Sequence, residues 1–441
     1  MEEYRRKLAT AEEAVKTVKS GDWVEYSHFM MAPRTLDGAL ADRIGELSDL
    51  KIRGCTNAIP VKTALADPAR EHVIYNNWHF SGADRKLHDR GLCNHVPFLY
   101  HEAPQLYRRY LEPDVAFIMV TPMDKHGFFN FGTSCSFTRA VTDAAKTVIV
   151  EVNDKVPVCL GGRNESIHVS EVDLIVEASN PMIELPGLPV TENDKKIAQL
   201  VLEEIEDRAC LQLGIGGMPN VVGKLIAESD LKDLGVHTEI LVDAFVDIQE
   251  AGRISGKYKT LDPNKITYTF AMGTRKLYDF LHNNPRCCAC DVEYTNSPTN
   301  IAANDNVVSI NNAIEIDLFG QVCSESSGTR QISGTGGQFD FMFGAFRSRG
   351  GKGLICMNST YTNSQGELVS NIRSVLTPGA TVTVHRAVTD YVITEYGKAV
   401  LKAKSTWERA EALINIAHPR FRDELIAEAE QIGIWVRSNK I

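Results

Sequence analysis

The chain has 441 residues, 43% hydrophobic and 24% charged, a composition of folded globular proteins that excludes disordered and fibrous classes. Its length exceeds one ordinary core and predicts two or three domains, best met by two large α/β domains. A net charge of -10, with no run of Lys and Arg, argues against a nucleic-acid partner.

The amino terminus, MEEYRRKLATAEEAVKTVKSG, is charged and helical in pattern, without the apolar stretch of a secretory signal. Nothing approaches the roughly 20 apolar residues that span a bilayer. A cytoplasmic protein without a membrane partner is expected.

Short β-branched runs that end in glycine or a polar turn alternate with stretches of helical spacing. This predicts βαβ units and open, mainly parallel sheets flanked by helices. Residues 115–120 (VAFIMV) and 147–152 (TVIVEV) read as buried strands of the first half. Residues 178–194 hold three prolines and no sustained period, the pattern of a linker. The expected domains are therefore 1–190 and 191–441, with a helical pattern resuming over 195–205. In the second half, residues 209–213, 238–242, 307–310 and 353–357 read as strands.

Residues 211–223, LQLGIGGMPNVVG, place Gly214, Gly216 and Gly217 after a strand, and Pro219 where a helix begins. Glycine permits close backbone approach, and proline suits a first helical turn. Free N–H groups at such a turn seat a phosphate or a developing oxyanion. A tight turn holding nothing fits the same residues. A dinucleotide site fits as well, because Glu239 follows at about the distance of a ribose-binding acid.

Glu239 lies in GVHTEILVDAFVD (235–247), predicted on one strand face with Leu241, opposite Thr238, Ile240 and Val242. Burying an acid in an apolar run costs several kcal/mol unless the acid is paired or functional. A salt-bridged strand-end glutamate is the plain alternative. Asp243 and Asp247 are rival acids, placed where the strand gives way to a helix. Further on, Cys287, Cys288 and Cys290 cluster among ten otherwise scattered cysteines, read as reduced thiols. Adjacent cysteines do not readily share one ion, and no second pair stands at zinc spacing, so no metal is expected.

A second loop, QISGTGGQFD (331–340), gathers Gly334, Gly336 and Gly337 before an aromatic run over 339–346. Two glycine turns with a glutamate between them point to donors converging on an acyl carbonyl. A dinucleotide fold does not require the second turn. At the carboxyl end, Ser405 and Glu408 take capping-box positions, and His418-Pro419 ends or interrupts that helix.

LQLGIGGMPN (211–220), GVHTE (235–239), NNAIEIDLFGQV (311–322), SGTGGQFDF (333–341) and VITEYG (392–397) resemble the acetyl-CoA hydrolase/transferase family. PMDKHGFFNFG (122–132) and EVNDKVP (151–157) extend the resemblance over nearly the whole chain. Within the family it is most similar to butyryl-CoA:acetate and 4-hydroxybutyrate CoA-transferases. The resemblance implies two CoA-transferase domains, the second carrying a catalytic glutamate, Glu239, with the active site between them. It implies a ping-pong transfer of CoA from a short-chain acyl-CoA to a carboxylate, through a glutamyl-acyl anhydride and a glutamyl-CoA thioester. Butyryl-CoA and acetate are the first choice of substrates.

On the same ground Gly214, Ile215, Gly216, Gly217 and Met218 contact CoA or the thioester oxygen, and Gly336 and Gly337 complete an oxyanion hole. Asn311 positions the acyl or carboxylate group. Ile314 and Lys352 join the CoA-binding set, Lys352 as a cation for a CoA phosphate, with a solvated turn lysine as the alternative. No cofactor is expected to be tightly bound, CoA being a substrate moiety, and a homodimer or homotetramer follows by analogy. Residues 55–59 and 78–82 of the first domain are expected to line part of the acyl pocket. His126 and His237 read as structural, and residues 391–397 as a strand-to-turn element lining the domain, with a supporting acid at Glu395 as the alternative. Another short-chain acid as substrate, an acyl-CoA hydrolase on the same fold and a non-enzymatic CoA or nucleotide sensor are the alternatives.

Overall fold

The run at 115–120 forms a strand with every residue buried, and Thr147–Asn153 is buried except at its first residue. Continuous apolar strands of this kind belong to parallel sheets covered on both faces. The computed structural model, which describes residues 1–185, 187 and 189–434, places them in a seven-stranded sheet. Its order is Asn94–His95, Val73–Asn77, Leu50–Gly54, Trp23–Tyr26, Val115–Val120, Thr147–Asn153, Leu174–Ala178. Every pairing is parallel. Leu36 and Leu40 of the Arg34–Asp42 helix pack with Leu50, Ile52, Phe117 and Ile149 in the core of this unit.

The backbone groups into two units, Met1–Pro186 with Thr267–Thr295, and Gly187–Ile266 with Asn296–Ile441. The excursion of residues 267–295 into the first unit departs from the single division near residue 190. These residues carry the same strand-and-helix texture as their neighbours, so nothing in their composition marks the crossing. Of the expected linker, Pro186 and Leu188 lie outside the described residues.

In the second unit, Gly235–His237, Cys210–Leu213, Val307–Asn312, Lys352–Cys356 and Tyr391–Thr394 run parallel in that order, and Gly397–Val400 pairs antiparallel beside the last. The first strand in sequence, Cys210–Leu213, has its successors on both sides. The chain moves to Gly235–His237 on one flank and then to Val307–Asn312 on the other. The carboxyl ends of Cys210–Leu213 and Val307–Asn312 therefore form a topological switch point, where open α/β sheets bind their ligands. The first unit repeats this plan, with Trp23–Tyr26 between Leu50–Gly54 and Val115–Val120.

Helices cover the second sheet at positions that local signals set. The helix expected over 195–205 begins earlier, at Glu192, because Thr191 and Asp194 form a capping box. Gly223 lets the Gly217–Glu228 helix approach Ala244 of the Asp243–Glu250 helix more closely than a side chain would allow. The Thr406–Asn415 helix starts at Ser405, whose N–H donates to Glu408 Oε2 at 2.8 Å. All ten cysteines are buried and none forms a disulfide, and burial pushes the Cys159 thiol up to about 12. Among the described residues, no group of His, Cys, Asp and Glu is arranged to hold a metal, and no helix is long and apolar enough to cross a membrane.

Candidate active site

At the switch point the Cys210–Leu213 strand passes into the first glycine turn. The Gly214 N–H donates to Ile310 O at 3.2 Å, and Gly216 adopts φ +132°, a region that favours glycine. The helix starts at Gly217, two residues ahead of the expected Pro219. Ile215 is 51% exposed at the tip of the turn, whereas Met218 is buried. Across the turn, Asn312 Nδ2 donates to Ile215 O at 3.2 Å.

Asn311 lies beside this turn with its amide held inside the sheet end. Its Nδ2 donates to Ser309 Oγ at 2.8 Å and to Gln212 Oε1 at 3.1 Å, and Ser309 Oγ donates to the same Gln212 oxygen at 2.7 Å.

Residues 238–242 do not form one strand. Gly235–His237 and Ile240–Leu241 are separate strands, and Glu239 occupies the bend between them. The cause is local, since the buried Thr238 hydroxyl donates to Ile240 O at 2.9 Å and turns the chain. Glu239 therefore does not share a strand face with Leu241, and its carboxylate points to a polar setting at the sheet's carboxyl end.

That setting comes from the second glycine loop and from Asn296. Asn296 Nδ2 donates to Glu239 Oε2 at 2.6 Å, and the Gly337 N–H donates to the same carboxylate. Gly336 takes φ +55°, and Gly337 precedes the Gln338–Arg347 helix. Gly337 has an ordinary φ of -93°, so its requirement is spatial: a Cβ there would overlap the Glu239 carboxylate and the Asn296 amide. Asp340, fully buried in the first turn of the helix, has Oδ2 3.5 Å from the same Asn296 Nδ2.

Burial dominates the charge state of Glu239 and pushes its pKa up to about 8. The Asn296 and Gly337 hydrogen bonds pull it down, and the nearby Asp340 carboxylate pushes it further up. A few edges of Glu239 remain open to solvent even though protein surrounds the carboxylate closely.

The second loop is itself anchored. The buried Glu325 carboxylate accepts from Thr383 Oγ1 at 2.9 Å and from Thr335 Oγ1 at 3.4 Å, and its carbonyl accepts from the Ile332 and Ser333 N–H groups. Gln338 Nε2 donates to Asn312 O at 2.8 Å, which joins this loop to the first one.

The structure thus brings Glu239, Gly336 and Gly337 together and sets Gly214 to Met218 and Asn311 at the neighbouring switch point. It does not bring Lys352 there. Lys352 begins its strand opposite Val308, at the far end of the sheet, with Nζ 2.9 Å from Glu204 Oε2. Lys398 holds the same glutamate at 2.6 Å, so Lys352 belongs to a structural ion-pair cluster. Ile314 follows the Val307–Asn312 strand and donates its N–H to Cys323 O at 2.9 Å.

His237 is buried with Nδ1 3.5 Å from Asn304 Nδ2, and His126 is exposed in a turn. Glu395 accepts from the Ser359 N–H and Oγ, a structural role. In the first unit, the segments at 55–59 and 78–82 follow the carboxyl ends of adjacent strands. They are tied together by the Thr56 N–H donating to His79 O at 2.8 Å. Asn296, Asn312, Gln338 and Asp340 escaped the sequence reading. For Asp340 a signal existed, an acid three residues after Gly337 in a helical first turn.

The profile of the acetyl-CoA hydrolase/transferase N-terminal domain matches residues 1–185, and that of the C-terminal domain matches residues 273–429. The chain belongs to this family. It is an enzyme of the family, 52% identical over 442 residues to the butyryl-CoA:acetate CoA-transferase of Anaerostipes caccae, covering 100% of this chain and 99% of that protein. It is 42% identical to the 4-hydroxybutyrate coenzyme A transferase of Clostridium kluyveri, over 96% of this chain and 97% of that one. The crystal structure of RipA from Yersinia pestis matches with a TM-score of 0.90 at 35% identity, over 98% of this chain and 99% of that one.

Two outcomes follow from this geometry. Gly337→Ala is expected to displace the Glu239 carboxylate and to lower turnover by about 10²-fold, with circular dichroism unchanged. Glu239 has a folded pKa raised to about 8, above its ordinary value, so the proton it holds stabilises the fold and that contribution is lost as pH rises. Thermal unfolding of Glu239→Gln should therefore match the parent near the ordinary glutamate pKa and occur at higher temperature than the parent at pH 8 to 9.

Proposed function

We propose that the chain transfers CoA from butyryl-CoA to acetate by a ping-pong mechanism, with Glu239 as the covalent carrier. The observation that carries this reading is a buried carboxylate with one oxygen 2.6 Å from the Asn296 amide, against the backbone N–H of a glycine with no room for a side chain. The names of the relatives favour butyryl-CoA and acetate, the pair carried by the relative at 52% identity, over 4-hydroxybutyrate, carried by one at 42%.

In the first step a Glu239 carboxylate oxygen attacks the thioester carbonyl and CoA leaves as the thiolate, giving a glutamyl-acyl anhydride. The thiolate then attacks the glutamyl carbonyl, the acyl group departs as its carboxylate, and Glu239 holds CoA as a thioester. Acetate reverses these steps. Covalent catalysis divides one difficult exchange into easier ones, and the anhydride keeps the acyl group activated.

Asn296 fixes the direction of the attacking oxygen. The Gly337 N–H and the turn at 214–218 are the donors assigned to the oxyanion and to CoA, with Asn311 beside them for the acyl or carboxylate group. Burial strips water from the carboxylate and makes it a stronger nucleophile once ionised. The site supplies this chemistry with its own carboxylate and backbone dipoles.

Butyryl-CoA without acetate should leave a CoA-sized mass on the peptide that contains Glu239, and Glu239→Ala should lose both the adduct and the transfer. An adduct on another residue, or transfer retained by the variant, overturns the assignment. CoA release that proceeds without acetate would instead mark a hydrolase. Because the attacking form is the carboxylate and the pKa of Glu239 is about 8, kcat/KM for butyryl-CoA should rise with pH and level off above about 8.

A further inference from the structure

Glu239 is not the only acid at the end of this sheet. Asp340 is fully buried, fixed by its place in the first turn of the Gln338–Arg347 helix, and reaches toward the amide that holds Glu239. The single Asn296 Nδ2 lies 2.6 Å from Glu239 Oε2 and 3.5 Å from Asp340 Oδ2. Two carboxylates that share one amide donor in a buried site repel each other when both are ionised.

Against this repulsion, the Asn296 amide and the Gly337 N–H hold the ionised form of Glu239. Gly337 contributes a backbone N–H, and the histidine on Glu239's own segment, His237, faces Asn304 and Phe341.

We propose that Asp340 is a positioning residue that drives CoA onto Glu239, because turning the Glu239 carboxylate into a neutral thioester removes its repulsion with the Asp340 carboxylate. This rests on Glu239 being the carrier. The loading reaction is balanced: Glu239 carboxylate and acyl-CoA give glutamyl-CoA thioester and free carboxylate. One Glu239 oxygen leaves in the released acid, the CoA sulfur moves from one acyl carbon to the other, and no electrons are gained or lost. Negative charge leaves the buried pair with the departing acid. Loading is thus favoured at the step where a thioester is exchanged for another of similar intrinsic energy.

Proton linkage gives this role a signature. Where Glu239 is protonated in the free enzyme, the repulsion is already absent, and removing Asp340 leaves the apparent loading equilibrium unchanged. Where Glu239 is ionised, removing Asp340 weakens loading by the same factor by which it eases ionisation. A shift of one pH unit in the ionisation of Glu239 corresponds to about tenfold in loading.

The test measures the fraction of chain carrying CoA at equilibrium with set ratios of butyryl-CoA to butyrate, by acid quench and intact mass spectrometry from pH 6 to pH 9. It compares the parent with Asp340→Asn. Asp340→Ser serves as a second uncharged variant if the first does not fold, and Asp340→Glu keeps the charge. The parent-to-variant ratio of loading constants should be near one at pH 6 and grow to about tenfold at pH 9 for the uncharged variants. The inflection in kcat/KM should fall by about one pH unit in the same variants, with Asp340→Glu resembling the parent in both respects. A ratio that is the same at every pH, as a merely structural role would give, overturns the proposal. Absence of any Glu239 adduct in the parent overturns the carrier assignment itself, and this inference with it.

Discussion

The second unit is organised around one close approach, the Glu239 carboxylate against the backbone of Gly337 and the amide of Asn296. A buried carboxylate is tolerated only where donors face it, and here a side-chain amide and a main-chain N–H supply them. The approach requires a residue without a side chain at 337, a loop that holds its shape and a strand that stops short of Glu239. Glu325 supplies the second through its bonds to Thr335 and Thr383, and Thr238 supplies the third by capturing the carbonyl of Ile240. These supports are far apart in sequence, yet each is needed to hold the same few ångströms.

The placement of this contact follows from the sheet. In a parallel sheet all carboxyl ends lie on one side, and the order of strands in the second unit opens a crevice between the first strand and its later neighbour. Both glycine loops and Glu239 leave the sheet from that side. Lys352 enters from the other side and pairs with Glu204, which explains why a cation near a glycine-rich stretch does not mark an anion site.

The strands and glycine turns were largely legible in the sequence because they rest on local patterns. β-branched runs gave strands at 115–120 and 307–310 close to their observed limits, and Ser405 with Glu408 marked the helix that begins at Thr406, whereas the Thr191 cap that starts a helix at Glu192 lay inside the expected linker and was not read. The bend at Glu239 was not legible, since Thr238 reads as an ordinary strand residue until its hydroxyl is seen on Ile240. Asn296 and Asp340 were missed for a different reason. An asparagine before Ser297-Pro298 and an aspartate in a helical first turn both have routine local uses, and only the fold shows that they converge on the same oxygen-rich spot. The family resemblance named Glu239 and Gly337 but carried no information on Asn296 and Asp340, which also set the charge of Glu239.

Asn312 grips the first glycine turn with its side chain and the second with its main chain, through Ile215 O and Gln338 Nε2. One residue thus serves as a yoke. The two lips of the crevice are therefore fastened to a single residue at the end of one strand, by one hydrogen bond each.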